Sequence, residues 1–338
     1  MKKILQFFLL LVFSVSGFCQ DIKLVSSVSG QPLSGVTVLS ERGDVLAISD
    51  VEGTILKSAL EPLQGTYVLI YENYEIARVG AADLSQQVIR LQDRVSEIPA
   101  VVISAKKAKY LNVKGYFNVY ITINRELNVY ADGVATYIFD NDSKKLRSVS
   151  IEQYRTFTKS TENQDRKKVA SMVYTSSLKV PELDEIGKIQ QKLQKGKSKY
   201  KELESGNQTR MQIHQTALQE RAFSILGYRF YDFEYLNAAS FEKGTSDLRN
   251  FLAYAEQINF KLKHKSEADY HQMTKYANFL PTEISYSNSI NSTQIKLDPD
   301  KSHYSEAYWK ETGFPDMQQV FRSFFEKSLH EGQNRGTK

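Results

Sequence analysis

Between residues 22 and 102, turn-forming residues recur at such short intervals that a small β-sandwich is the structure they favour. Gly30, Pro32 and Gly35 lead into the alternating run Val36-Thr37-Val38. Pro32 presets φ for a turn, and Gly35 allows a backbone conformation that side-chain-bearing residues resist. Glu41-Arg42-Gly43-Asp44 closes a hairpin onto a returning strand over residues 45–48, and Ser49-Asp50-Val51-Glu52-Gly53 marks the next turn. Residues 67–71 are a β-rich run suited to the middle of a sheet, and residues 88–91 form the last strand. Short strands punctuated by Gly, Pro and Asp at this spacing predict two packed sheets.

The same residues carry a resemblance. Gly30-x-Pro32-Leu33-x-Gly35-Val36-x-Val38, Ser49-Asp50-x-x-Gly53, Tyr71-x-x-Tyr74-Glu75 and Val88-Ile89-Arg90-Leu91 together resemble the carboxypeptidase-regulatory-like domain. One departure is Ser26-Ser27, which stands where that family usually has a glycine. The resemblance covers about a quarter of the chain and implies a transthyretin-like β-sandwich, common in exported proteins of Gram-negative bacteria. It also implies that residues 96–103, Ser-Glu-Ile-Pro-Ala-Val-Val-Ile, form the strand that comes after this domain at the front of TonB-dependent receptors. In that family the domain is an appendage without a zinc site. A receptor plug and a barrel of about 22 strands, each of roughly 9–11 residues, do not fit in the chain after Ala105.

Residues 1–19 read as a secretory signal: two lysines, an apolar run over residues 4–13, then Ser14, Ser16 and Gly17. The run is short for a membrane helix, which needs roughly 20 apolar residues, and no later segment is longer. Cleavage before Gln20 removes Cys19, the only cysteine, so stability rests on buried cores without disulfides. Lipid attachment at Cys19 is the alternative, against which Phe18 stands where a small residue is wanted. A net charge of +5, from 44 basic and 39 acidic residues, is too balanced to argue for nucleic acid. The expected location is the periplasm or the outer membrane.

The expected organisation is an all-β sandwich over residues 20–95, a linker strand over 96–110, and an α+β domain over 111–338 with a large antiparallel sheet and a few helices. In residues 116–123, Phe117, Val119, Ile121 and Ile123 share one face, and Tyr116, Asn118, Tyr120 and Thr122 the other, which predicts a half-buried strand. Asp132-Gly133 between residues 127–130 and 134–139 predicts a hairpin turn, and Asn141-Asp142-Ser143 another. Further strands are expected at residues 149–151, 172–174, 228–233, 257–263, 283–286 and 294–297. Helices are expected over residues 181–203, on Ile186, Ile189 and Leu193, and over 211–225, on Ile213, Ala217 and Leu218, with Gly206-Asn207 between them. A last helix runs through Met317, Val320, Phe321, Phe324, Phe325 and Leu329, with Asp316 and Gln319 as a capping pair.

Catalytic constellations are sparse. His264-Lys265-Ser266-Glu267 has the His-x-x-Glu spacing of two zinc ligands, but a catalytic zinc needs a third, and His271 and His303 come within 7 and 39 residues. Lys261, Lys263 and Lys265 would oppose a dication, so a solvated strand end accounts for the motif. No Gly-x-Ser-x-Gly elbow, phosphate loop or complete calcium loop occurs, and Asp140-Asn141-Asp142 reads as a polar turn. In residues 181–204 six lysines face five acids, which describes a solvated face. Tyr116, Tyr120, Tyr228 and Tyr231 form the candidate partner-binding surface, since aromatic rings suit sugar or peptide contacts. The expectation is an exported, non-enzymatic envelope protein with no cofactor and no metal, binding an envelope protein or glycan. The alternative is a metallopeptidase-like hydrolase assembled from dispersed residues around His264 and Glu267.

Overall fold

The computed structural model describes residues 21–336 apart from 61, 73, 93–107, 160–177, 185, 188–199, 206, 217–222, 226, 293–294 and 316. The leader, the linker strand through residue 107, the strand at 172–174, the centre of the first expected helix and Asp316 therefore lie outside the described residues.

Strands β1 (Ile22–Ser26), β4 (Thr54–Ile55) and β7 (Val88–Leu91) form one small sheet in the order β4-β1-β7. Strands β2 (Thr37–Ser40), β3 (Val45–Ile48), β5 (Thr66–Tyr71) and β6 (Tyr74–Gly80) form a second, in the order β3-β2-β5-β6. Ile22, Leu24, Ile55, Ile89 and Leu91 from the first sheet share a core with Val38, Leu69, Tyr71 and Val79 from the second. Alternation makes this possible, because every other residue of each strand points to the partner sheet. Gly53 is required where the chain enters β4. Its φ is +72°, and a Cβ there would lie 2.4 Å from the Leu24 carbonyl oxygen.

The remaining chain builds one large antiparallel sheet. Its strands are β8 (Tyr110–Ile123), β9 (Glu126–Asp140), β10 (Leu146–Lys159), β11 (Tyr200–Ser205), β12 (Gln208–Thr216), β13 (Phe223–Ile225), β14 (Tyr228–Glu242), β15 (Phe251–His264), β16 (His271–Ser287) and, near the end, β18 (Leu329–Glu331). The order is β11-β12-β14-β15-β16-β8-β9-β10-β18, with β13 paired to β14 off that path. Two short strands, β17 (Lys301–Ser302) and β19 (Gln333–Asn334), pair separately. One face of the sheet gathers Phe117, Val119, Val129, Tyr137, Phe251 and Phe279 into a core that Leu178, Leu183 and Ile186 cover. No helix among the described residues is long and apolar enough to cross a membrane.

Several expectations are corrected. β8 is buried on both faces rather than one, because Tyr116 and Tyr120 are buried as well as Phe117 and Val119. Asp132-Gly133 is not a turn but the middle of β9. The hairpin turns instead at Asn124-Arg125, both with positive φ (50° and 74°), as a two-residue loop requires. Asp132, fully buried, accepts two hydrogen bonds from Arg155 on β10, Nε to Oδ1 at 3.0 Å and Nη2 to Oδ2 at 2.6 Å. Gly133 makes room for the Phe117 ring, which a Cβ would approach to 2.7 Å while lying 2.2 Å from the Gln153 carbonyl oxygen.

Residues 211–216 are strand, not helix: Met211 and Ile213 enter the core while Arg210, Gln212 and His214 alternate with them, a period of two. Likewise residues 200–203 are strand, Asn207 lies in the turn from β11 to β12, and only residues 186–187 of the first expected helix are helical among those described. Residues 295–297 form no strand, though Ile295 and Leu297 pack against the core. The last helix is shorter than expected, α1 (Met317–Val320) and α2 (Arg322–Lys327), and Leu329 belongs to β18. The turn at Asn141-Asp142-Ser143 is present, tied by the Ser143 N–H to Asp140 Oδ1.

The apolar side of α1 and α2 wedges between the sandwich and the large sheet. Met317, Phe321 and Phe324 meet Leu39, Val45, Val68 and Ile70 from the sandwich and Tyr120, Tyr130 and Tyr276 from the sheet. Beside this wedge a buried ion pair joins the two bodies. Arg210 Nη1 on β12 donates to Glu72 Oε1 at 2.7 Å and to the Tyr71 hydroxyl at 2.9 Å, and Ser240 Oγ donates to Glu72 at 2.9 Å.

Two substitutions test these contacts by denaturant unfolding. Gly133→Ala is expected to destabilise the chain by about 2 kcal/mol, since backbone blocks the new methyl group, and no change would contradict the packing. Glu72→Ala strands a buried guanidinium and is expected to cost about 3–5 kcal/mol, whereas a loss below about 1 kcal/mol would show the pair to be solvated.

Candidate functional site

The face of the large sheet turned toward the sandwich is unusually polar for a covered surface. Alternation puts Arg210, Gln212 and His214 of β12 there, with Gln257 and Asn259 of β15, Thr274 and Asn278 of β16, and Asn118 and Thr122 of β8. Near the wedge the polar groups pair with one another, as in the hydrogen bond from Asn278 Nδ2 to Asn118 Oδ1 at 2.9 Å. Farther along, the two bodies separate and leave a cleft of about 270 Å³.

One wall is the sandwich edge: the six consecutive residues from Val45 to Asp50, then Leu56 and Ala59. The opposite wall is the large sheet, with Thr122, Arg125, His214, Glu234, Gln257, Asn259, Gln272 and Thr274 over a floor of Leu236 and Tyr276. Leu56 is 61% exposed and forms an apolar lip. At one end the Val45 N–H donates to the Arg125 carbonyl at 3.1 Å, which closes the cleft with backbone.

Within the sheet wall, Glu234 Oε1 lies 2.8 Å from His214 Nε2, and Glu234 Oε2 accepts from Asn259 Nδ2 at 2.8 Å. The hydrogen bond with His214 holds the Glu234 carboxyl below its ordinary range, against the opposing effect of burial and with further help from Asn259. Both carboxylate oxygens are engaged, so Glu234 fixes the His214 ring and the Asn259 amide in place. The arrangement presents neutral amides and hydroxyls from neighbouring strands to whatever enters.

The four candidate tyrosines do not form a common surface. Tyr116 is buried beside Tyr308 and edge-on to Phe314 at 5.1 Å, its hydroxyl bonded to Glu311. Tyr120 is buried in the wedge, stacked on Tyr276 at 4.4 Å. Tyr228 is buried in the core of the opposite face. Only Tyr231 retains exposure, edge-on to Tyr270 at 4.1 Å. Alternation along β8 placed Tyr116 and Tyr120 together correctly, but the second covering layer was invisible to it.

His264 and Glu267 form a turn. Glu267 Oε2 accepts the His264 backbone N–H at 2.7 Å, and His264 Nδ1 lies 2.6 Å from Ser266 Oγ. His271 Nε2 is 3.7 Å from Glu267 Oε1, whereas His303 lies elsewhere, paired with Tyr154 of β10. Among the described residues no three His, Cys, Asp or Glu side chains gather as metal ligands would. A comparison with protein-family models gives no match, and a search of curated proteins gives none.

Because the Glu234 carboxyl titrates below its ordinary value of 4.5, the stabilisation it provides is complete above that value and is lost as pH falls through the lowered one. His214→Ala is expected to move the Glu234 titration, monitored by side-chain carboxyl NMR, up toward 4.5. An unmoved titration would show that His214 does not hold this carboxylate.

Proposed function

We propose that this chain is an exported, non-enzymatic binding protein of the cell envelope whose ligand enters the cleft between the sandwich and the large sheet. The observation that carries the reading is that both bodies line the cleft, with the sandwich edge supplying one wall. Under this reading the sandwich is a carboxypeptidase-regulatory-like, transthyretin-like domain working as half of a binding site rather than as a spacer. Support for the family comes from the motif residues: Gly35 and Gly53 occupy positive-φ positions in the turns where the pattern has them. Export is supported by the leader-like residues 1–19.

The cleft suits recognition. Its polar lining is pre-positioned by rigid strands, its floor is apolar, and its volume lies just under the roughly 300–1,000 Å³ of ligand pockets. The partner class is an envelope peptide or glycan, and neither membrane span nor nucleic acid enters the proposal.

Gln272 is exposed on the sheet wall, so Gln272→Trp fills the cleft without disturbing a core. Solubilised envelope peptides and glycan fragments passed over the full mature chain are expected to leave a component bound, with affinity at least about tenfold weaker for the variant, a loss of about 1.4 kcal/mol. Equal retention by both proteins would place binding elsewhere.

A further inference from the structure

The sandwich wall of the cleft is an edge strand, and its backbone is already used once to bind the opposite wall. Among the described residues β3 pairs with β2 on one side only, since the sheet order is β3-β2-β5-β6. Ser49, just after β3, has both backbone groups directed to the β2 side: its N–H donates to the Val36 carbonyl at 2.9 Å and its carbonyl accepts the Gly35 N–H at 2.9 Å. Successive residues of an antiparallel strand point their backbone groups to opposite sides, so the N–H and C=O of Ile48 point away from β2. Val45 points the same way, and its N–H is taken by the Arg125 carbonyl at 3.1 Å. Pairing across the cleft thus begins at Val45 and stops before Ile48.

From this edge we infer that the cleft takes an extended peptide segment of a partner protein, which adds to β3 as a short fifth strand of its sheet and bonds the Ile48 N–H and C=O. This deepens, and rests on, the reading of the cleft as a binding site. Main-chain hydrogen bonds to a sheet edge give affinity without requiring a particular sequence, and flanking pockets select side chains. Here Gln257, Asn259 and Gln272 face the outer edge of the added segment from the sheet wall, and Leu56 offers an apolar contact at the lip. The lining cation is Arg125, exposed at the closed end of the cleft. The lining carboxylates are Asp50, already accepting the Glu52 and Thr54 N–H groups, and Glu234, held by His214 and Asn259.

A glycan fits the same walls less well. Sugars stack on open aromatic faces, and among the described lining residues the one Phe, Tyr or Trp ring, Tyr276, is 4% exposed and stacked on Tyr120. At the rise of a strand, the four residues of β3 span about 13 Å, which suits a short segment rather than a folded domain.

The test uses the mature chain, isotope-labelled for NMR, and three probes: a capped hexapeptide alternating threonine and valine, the same peptide N-methylated at alternate residues, and chitotetraose. The hexapeptide is expected to shift cleft signals and to slow exchange of the Ile48 amide about tenfold, whereas N-methylation on the bonding edge is expected to weaken it about tenfold. Ile48→Pro removes the outward N–H while leaving the bonds to β2 untouched, and is expected to weaken the hexapeptide by a similar factor. The N-methylated peptide keeps the test decisive if that variant does not fold, because it is read on the unaltered protein. Cleft shifts from the hexapeptide with no change at Ile48 and no effect of N-methylation would overturn strand addition while leaving the cleft as a binding site. Shifts from chitotetraose alone would overturn the peptide and likewise leave the cleft. No cleft response to any probe would overturn both.

Discussion

The ion pair between Arg210 and Glu72 fixes how the two bodies of this protein meet, and the cleft exists only while they meet that way. Both side chains are about nine-tenths buried. A buried pair of this kind adds little net stability over a well-packed apolar contact, but leaving either partner alone in the interior is expensive. It therefore discriminates strongly among docking arrangements: a sandwich shifted by one residue along β12 would strand two charges. The apolar wedge of Met317, Phe321 and Phe324 supplies non-directional burial, and the ion pair gives that burial a register.

The same division of labour recurs on the far side of β9. Asp132 and Arg155 are buried together, Tyr308 donates to Asp132 Oδ1 at 2.6 Å, and the Trp309 ring lies 4.0 Å from the Arg155 guanidinium carbon. The chain after β16 is thereby strapped across the sheet face next to the docked sandwich. With one face covered by Leu178, Leu183 and Ile186 and the other by the sandwich, the helices and this strap, the large sheet behaves as a central layer. A central layer buries polar residues that an open sheet would show to water. Several of these buried polar residues, Thr122, Gln257 and Thr274, lie along the cleft between strap and junction.

The sandwich was legible in the sequence because its turns need particular residues at particular places. Strand 45–48 fell between Gly43-Asp44 and Ser49-Asp50, and strand 88–91 on its own Val-Ile-Arg-Leu run. The large sheet was legible as antiparallel, yet its hairpins were not. Asp132-Gly133 has turn chemistry, but the same two residues serve a buried ion pair and a ring packed against backbone, and only the tertiary neighbours Arg155 and Phe117 distinguish the uses. Met211 and Ile213 fit either a helix or a strand over so short a run, and pairing with β14 decided it. The tyrosine surface failed for a related reason: alternation reports which residues share a face, not whether that face is covered. The cleft was illegible because residues near 48, 122, 214, 234, 257 and 272 contribute to it, and no local pattern links six segments so far apart.

Sandwich and sheet form one cooperative unit, which equilibrium denaturation with two local probes tests most directly. Trp309, the only tryptophan, reports the strap on the large sheet by fluorescence, and amide exchange at Leu69 reports the centre of the sandwich. Coincident transitions with one midpoint for both probes are expected. A sandwich that unfolds at a separate midpoint, leaving the Trp309 signal native, would contradict it, because two bodies that melt apart do not hold a shared cleft.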